Sequence, residues 1–180
     1  TSERVLEDAY QQSDAAVVVY LFHIATYDYA LPFCKGAHVL DFGCGSGYGS
    51  ARLAAKAASV IGVDVAEDAV AHANDRYASD NLSFQTLSAD GLLQFPDASF
   101  DVVTSFQVIE HVAALERYVT EARRVLKPDG VFIVATPDRS TRLFRFQKPW
   151  NPWHLVEYDA DALGVVLRIG FSDVKILRMG

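Results

Sequence analysis

The sequence predicts an α/β fold, a doubly wound and mostly parallel sheet with helices on both faces. Three observations carry that expectation. From residue 38 onward, apolar runs of strand length alternate with helical patterns, which implies parallel strands joined by right-handed crossovers. The first run ends in Asp41-Phe42-Gly43-Cys44-Gly45-Ser46-Gly47-Tyr48-Gly49, an acidic residue followed by alternating glycines. Acidic residues also follow the second and third runs, as Asp64 and Asp90. In such sheets ligands bind beyond the carboxyl ends of the strands.

Residues 1–37 stand apart as a helical segment, with Glu3–Tyr10 and Ala15–Ala30 both of helical pattern. The second is rich in aromatic and β-branched residues. It either packs on the sheet edge or folds across the pocket as a lid. Residues 38–180 form the ligand-binding domain. Its strands are read at His38–Phe42, Ser59–Val63, Leu82–Leu87, Asp101–Phe106 and Val131–Thr136. Its helices are read at Gly49–Ala57, Glu67–Tyr77, Ala114–Leu126 and Asp159–Ile169. Asp129-Gly130 supplies turn chemistry ahead of the fifth strand. Phe171–Met179 reads as a sixth strand, centred on Val174–Leu177.

A chain of 180 residues, 51% of them hydrophobic, is long enough for one domain with a full core. Its formal net charge of −7 argues against a diffuse basic surface, so no nucleic-acid partner is expected. Cys34, in a predicted loop, and Cys44, in the glycine loop, make neither a disulfide framework nor a zinc pattern. They read as reduced thiols of a cytoplasmic protein. No apolar run is expected to reach the length of a membrane span, and no membrane partner is expected.

Glycines belong where backbone takes positive φ or presses against a ligand. A helix start adds free N–H groups and the positive end of its dipole. The glycine turn can therefore hold the charged tail of a nucleotide-like cofactor. A dinucleotide requires G-x-G-x-x-G. Counted from Gly43 the third glycine falls on Tyr48, and from Gly45 on Ser50. Neither register fits, which excludes a dehydrogenase.

The segment instead resembles the D-x-G-x-G-x-G loop of class I S-adenosylmethionine-dependent methyltransferases. Glu110-His111-Val112 is similar to that family's E-H-V, with Gln107 where many members carry a glutamate. Arg124-Val125-Leu126-Lys127-Pro128-Asp129-Gly130 resembles its R-V-L-K-P-G-G. Asn151-Pro152-Trp153-His154-Leu155-Val156-Glu157-Tyr158 resembles the N-P-F-H-x-x-E segment of a small-molecule subgroup often encoded beside, or fused to, glycosyltransferases. His23–Ala30 is similar to that subgroup's N-terminal helix, with Thr26 in place of an arginine. The resemblance runs from about residue 20 to residue 172.

It implies a Rossmann-like class I sheet, with the N-terminal helices as a possible lid. The family's seventh, antiparallel strand is missing, so the molecule is either a reduced sheet or part of a longer chain. The implied cofactor is S-adenosylmethionine. Asp41 would orient its methionine end, Asp64 bind the ribose and Asp90 reach the adenine. Gly43, Gly45, Gly47, Tyr48, Val65, Ala89 and Phe106 complete the implied site. Any one of the three acids alone reads as a cap or turn residue. Together, at successive strand ends, they point to function.

The expected reaction is methyl transfer to a small-molecule acceptor, at a hydroxyl oxygen. His154 and His111 are the candidate bases, His154 favoured because its segment should line the acceptor side. Glu157 either partners His154 or caps the last helix. Glu110 and His111 either serve the acceptor pocket or anchor the following helix. Some relatives bind a divalent metal through E-x-x-E-H. Gln107 removes one anionic ligand, so no metal is expected. Arg139, Arg142, Arg145 and Lys148, interleaved with Leu143, Phe144 and Phe146, form either a clamp for a phosphate-bearing acceptor or a solvated turn. The rival class is a cofactor-binding module without catalysis, towards which Gln107 and the missing strand point.

Overall fold

The computed structural model describes residues 14–88, 90–144 and 147–179, with side chains from residue 17 onward. α1 (Asp14–Cys34) leads into β1 (His38–Phe42), α2 (Tyr48–Ala54), β2 (Ser59–Asp64), α3 (Glu67–Tyr77) and β3 (Leu82–Thr86). After a long loop come β4 (Phe100–Phe106), a 3-10 turn (Ile109–His111), α4 (Leu115–Val125) and β5 (Leu126–Ala135). The short α5 (Arg139–Arg142) and α6 (Ala160–Leu167) complete the order.

The sheet runs β3-β2-β1-β4-β5, and every neighbouring pair is parallel. The winding reverses between β1 and β4, so the crevice beyond their carboxyl ends is the switch point where such sheets take ligands. Side chains alternate across a strand, and the core divides accordingly. Val39, Val60 and Val102 pack with Tyr27 and Ala30 of α1, Leu53 of α2 and Ala73 of α3. Leu40, Val63 and Val103 pack on the other face with Val119, Ala122 and Val125 of α4 and Leu167 of α6. Each fully buried Leu or Val contributes about 1.5–3 kcal/mol. That continuous burial on both faces is why the strands read as apolar runs.

Several expectations are corrected. Phe171–Met179 is not a strand. Within it, Phe171 is stacked on Phe132 at 5.4 Å, and Val174 and Ile176 pack on the α4 side of the core. Its apolar alternation is satisfied by burial alone, because among the described residues no strand offers it a backbone ladder beside β5. β5 starts at Leu126 rather than Val131, pairing Phe100 with Leu126 across an irregularity. Cys34 ends α1 instead of lying in a loop, and both cysteines are buried free thiols. Val17–Cys34 is, by length and composition, apolar enough to cross a membrane, against the expectation that no run reaches that length. Its C-terminal half is a core helix here, with Tyr27, Ala30 and Cys34 buried. Glu3–Tyr10 lies outside the described residues.

Candidate active site

The alternation of β1 sends Asp41 to the face covered by α1 and α2. Its Oδ2 accepts hydrogen bonds from Ser50 Oγ (2.6 Å) and the Tyr27 hydroxyl (3.2 Å), and its Oδ1 from Thr104 Oγ1 (3.0 Å). Burial pushes the carboxyl up to about 6, although those three hydrogen bonds favour the ionised form and oppose the shift. Asp41 thus ties α1, α2, β1 and β4 together beneath the glycine loop.

Gly43, Gly45 and Gly47 all take positive φ, at 90°, 53° and 87°. A Cβ at Gly43 would run into Val108, at Gly47 into Ala73 and Phe84, and at Gly49 into the Tyr27 ring. Gly45 differs, since a Cβ there meets nothing within 4 Å. Packing of the chain on itself therefore explains three of the four loop glycines. Gly45 is the one whose bare backbone faces open space.

The loop is pinned to the end of β2. Val63 O accepts from Gly43 N (2.8 Å) and Cys44 N (3.0 Å). Asp64 Oδ2 accepts from Gly45 N and its Oδ1 from Ala66 N, both at 2.9 Å. Val65 beside it is 62% exposed. The Tyr48 hydroxyl lies 2.9 Å from His23 Nδ1, and its ring meets Tyr20 and Tyr27. α1 therefore stands directly against the loop. Phe106 is buried edge-on to Tyr27, with ring centroids 4.8 Å apart, in the packing under the loop. Asp90 is exposed after β3, and bonds from Ser88 Oγ and Leu92 N hold its carboxyl below the usual range. Ala89 lies outside the described residues.

A second cluster forms beyond β4. Gln107 takes φ 59°, a left-handed value uncommon for a residue with a side chain, and its N–H donates to Ala135 O at 2.8 Å. The 3-10 turn follows. Glu110 is fully buried there, its carbonyl accepting from Leu155 N (2.8 Å) and its Oε2 from Thr136 Oγ1 (2.9 Å). Its Oε1 has no protein partner among the described residues. Burial raises the Glu110 carboxyl above its ordinary value, opposed by its hydrogen bonds and by His111 and His154.

His111 Nδ1 lies 2.9 Å from Trp153 O. A carbonyl only accepts, so that nitrogen carries the proton and Nε2 of the neutral ring is left with a lone pair. His154 Nδ1 lies 2.8 Å from Glu157 Oε1, and a carboxylate sets the same tautomer. The two rings meet edge to face at 4.9 Å. Glu157 is buried and takes Arg142 Nη1 as a second partner at 3.4 Å. The His154 side chain is only 6% exposed, whereas His111 is half-buried. Ligating atoms of Glu110, His111 and His154 lie within 4.8 Å of one another. That is close enough to converge on one cation or one acceptor hydroxyl.

The loop glycines, Asp41, Tyr48 and Asp64 thus gather at the ends of β1 and β2, and His111 and His154 gather beyond β4. Tyr27, Ser50, Thr104, Thr136 and Arg142 complete the two clusters, and the sequence did not single out the first four. Thr104 had a signal: a polar residue in an apolar run, one strand over from Asp41. Tyr27 lay in the His23–Ala30 segment that resembles the subgroup's N-terminal helix, without a role of its own. Ser50 had no signal, because helix rotation decides which side chain meets a given strand.

Known proteins are similar to this chain. A Mycobacterium tuberculosis protein named "Probable S-adenosylmethionine-dependent methyltransferase" is 41% identical over 155 residues, covering 86% of this chain and 56% of that protein. The chain thus spans about half the length of the curated relatives it matches. A ubiquinone biosynthesis O-methyltransferase of Rhizobium johnstonii is 34% identical over 110 residues, 60% of this chain and 44% of that protein. The crystal structure of the cyclase SpnF superposes with a TM-score of 0.72 at 24% identity, covering 88% of this chain and 58% of that one, and shares the fold. Residues 40–134, more than half of the chain, match the family model described as a methyltransferase domain. The chain belongs to the methyltransferase-domain family.

Proposed function

We propose that this chain binds S-adenosylmethionine over the carboxyl ends of β1 and β2 and transfers a methyl group to a small-molecule hydroxyl. The observation that carries the reading is Gly45. Its backbone has positive φ, its Cβ position opens on unfilled space at the switch point, and its N–H is fixed by Asp64. A cofactor needs such a cradle, and internal packing does not. Membership of the family and the names of the relatives support the same cofactor.

In this reading Asp64 keeps acceptor capacity on both oxygens for ribose hydroxyls beside its two backbone donors. Val65 covers the adenine side, and Asp90 closes it. Asp41 acts as a positioning residue from below, holding the loop through Ser50 and Tyr27. S-adenosylmethionine supplies an already activated sulfonium methyl. The chain must hold donor and acceptor in line and take the hydroxyl proton. His111, the more accessible ring, presents Nε2 to an acceptor. His154 meets it edge to face, and its own Nδ1 proton is held by Glu157. The outer half of α1 acts as the lid, closing from the side on which His23 meets Tyr48.

The test separates binding from chemistry. S-adenosylmethionine affinity is measured by calorimetry, and turnover with candidate acceptors by mass spectrometry. His111→Ala and His154→Ala should leave affinity near wild type and lower turnover about a hundredfold or more. Full turnover in both would remove the base from the mechanism. A binding module without catalysis is the second reading. It is favoured by one observation: Gln107 stands where many members of the family carry a glutamate. Binding without turnover on any acceptor would support it.

A further inference from the structure

The excursion between β5 and α6 has a composition that cofactor binding does not explain. Residues 139–156 carry Arg139, Arg142, Arg145 and Lys148 and no acidic residue, in a chain of net charge −7. The excursion is closed at its base, where Asp138 pairs with Tyr158 and Arg139 N donates to Tyr158 O at 2.9 Å. Its two ends are therefore held together.

What it projects is aromatic and apolar. Phe144 is 84% exposed, Trp150 64% and Trp153 53%, with Leu155 and Val156 exposed beside them and Lys148 at the surface. The apolar surface continues through the end of the chain. Arg178 Nε reaches Asp138 Oδ2 at 3.1 Å, and Met179 meets Thr26 of α1. Leu177 and Met179 are exposed between them, and the outer half of α1 adds exposed Val18, Leu21 and Phe22. Exposed aromatic and apolar side chains gathered on one excursion mark an interaction surface. Tryptophan and phenylalanine interleaved with basic residues are the side chains that favour the boundary between lipid headgroups and acyl chains.

We propose that this face, residues 139–144 and 147–156 with the outer half of α1, docks on the surface of a bilayer containing anionic lipid. Lys148 and Arg139 supply the charge attraction, Arg142 being paired with Glu157. Phe144, Trp150 and Trp153 insert at the headgroup level. Docking would bring the His111 and His154 pair against the lipid, since Trp153 O holds His111 directly. The proposal stands independently of methyl transfer.

Trp150 and Trp153 are the chain's two tryptophans, so their fluorescence reports this face alone. Vesicles of phosphatidylcholine with phosphatidylglycerol should shift the emission to the blue and carry the chain upward in a flotation gradient. Vesicles of phosphatidylcholine alone should do so about tenfold more weakly, and added salt should reverse the binding. Lys148→Glu should weaken binding about tenfold with the fold intact, and Phe144→Ser with Trp150→Ser should abolish it. Unchanged emission with both vesicle types overturns the proposal. So does vesicle binding that is indifferent to these substitutions, or emission already blue in a dimer without lipid, which would assign the face to a second copy of the chain.

Discussion

Asp41 is a carboxyl with no access to water, held by three hydroxyls and pushed up to about 6 by burial. The sign of its effect on stability follows from that direction. The folded state binds the proton more tightly than the unfolded chain does, so this group's contribution falls as pH rises from about 4 through about 6 and stays lost above. Asp41→Asn should remove that slope. Urea unfolding across the window should show a flatter stability profile for the variant. A slope identical to wild type would mean that Asp41 is ionised throughout.

Gly49 makes the complementary case, a residue whose role is space. Its missing Cβ is where the Tyr27 ring lies. Gly49→Ala should destabilise the chain by about 1–3 kcal/mol and loosen the Tyr27 bond to Asp41, seen as a lowered Tm. An unchanged Tm would show that the ring moves aside at no cost. The sequence made the glycine loop conspicuous, but did not say which glycine serves packing and which a ligand. That depends on Val108, Phe84 and Tyr27, all brought in from other elements.

At the scale of elements, α1 divides in two. Residues 26–34 are tied to the core through Tyr27, Ala30 and Cys34, while Val17, Val18, Leu21 and Phe22 stand exposed. Hydrogen exchange should register that boundary. On addition of S-adenosylmethionine the amides of residues 17–25 gain protection if the outer half closes as a lid, while residues 26–34 are already slow. No change in 17–25 would leave α1 as packing alone.

α4 carries a second element-scale device. Arg124 donates to Leu93 O and Phe95 O, each at 2.7 Å, and pairs with Glu121 and Asp97. It thereby anchors the loop between β3 and β4. Those bonds hold Arg124 more basic than usual and draw Glu121 below its ordinary range. Arg124→Met should cost about 2 kcal/mol, read by thermal unfolding. A neutral effect would mean that the loop holds without it.

For the whole molecule, the parallel sheet was legible because β1, β2 and β4 are buried on both faces and read as apolar runs. Phe171–Met179 misled for the same reason. Its apolar pattern reports burial, and burial is there, but a strand also needs a neighbour to pair with. The His111 and His154 cluster was legible only as two separate motifs. Their 43-residue separation closes through Leu155 N on Glu110 O and Trp153 O on His111, contacts that no periodicity announces.

The central claim is that the carboxyl ends of β1 and β2 form a cofactor site built on Gly45 and Asp64. Titration calorimetry of the chain with S-adenosylmethionine tests it most directly, with Asp64→Ala beside the wild type. Saturable binding at one site per chain is expected, weakened about tenfold or more in the variant, the scale of a lost hydrogen bond to a charged group. No binding to the wild type, or equal affinity in Asp64→Ala, would contradict it.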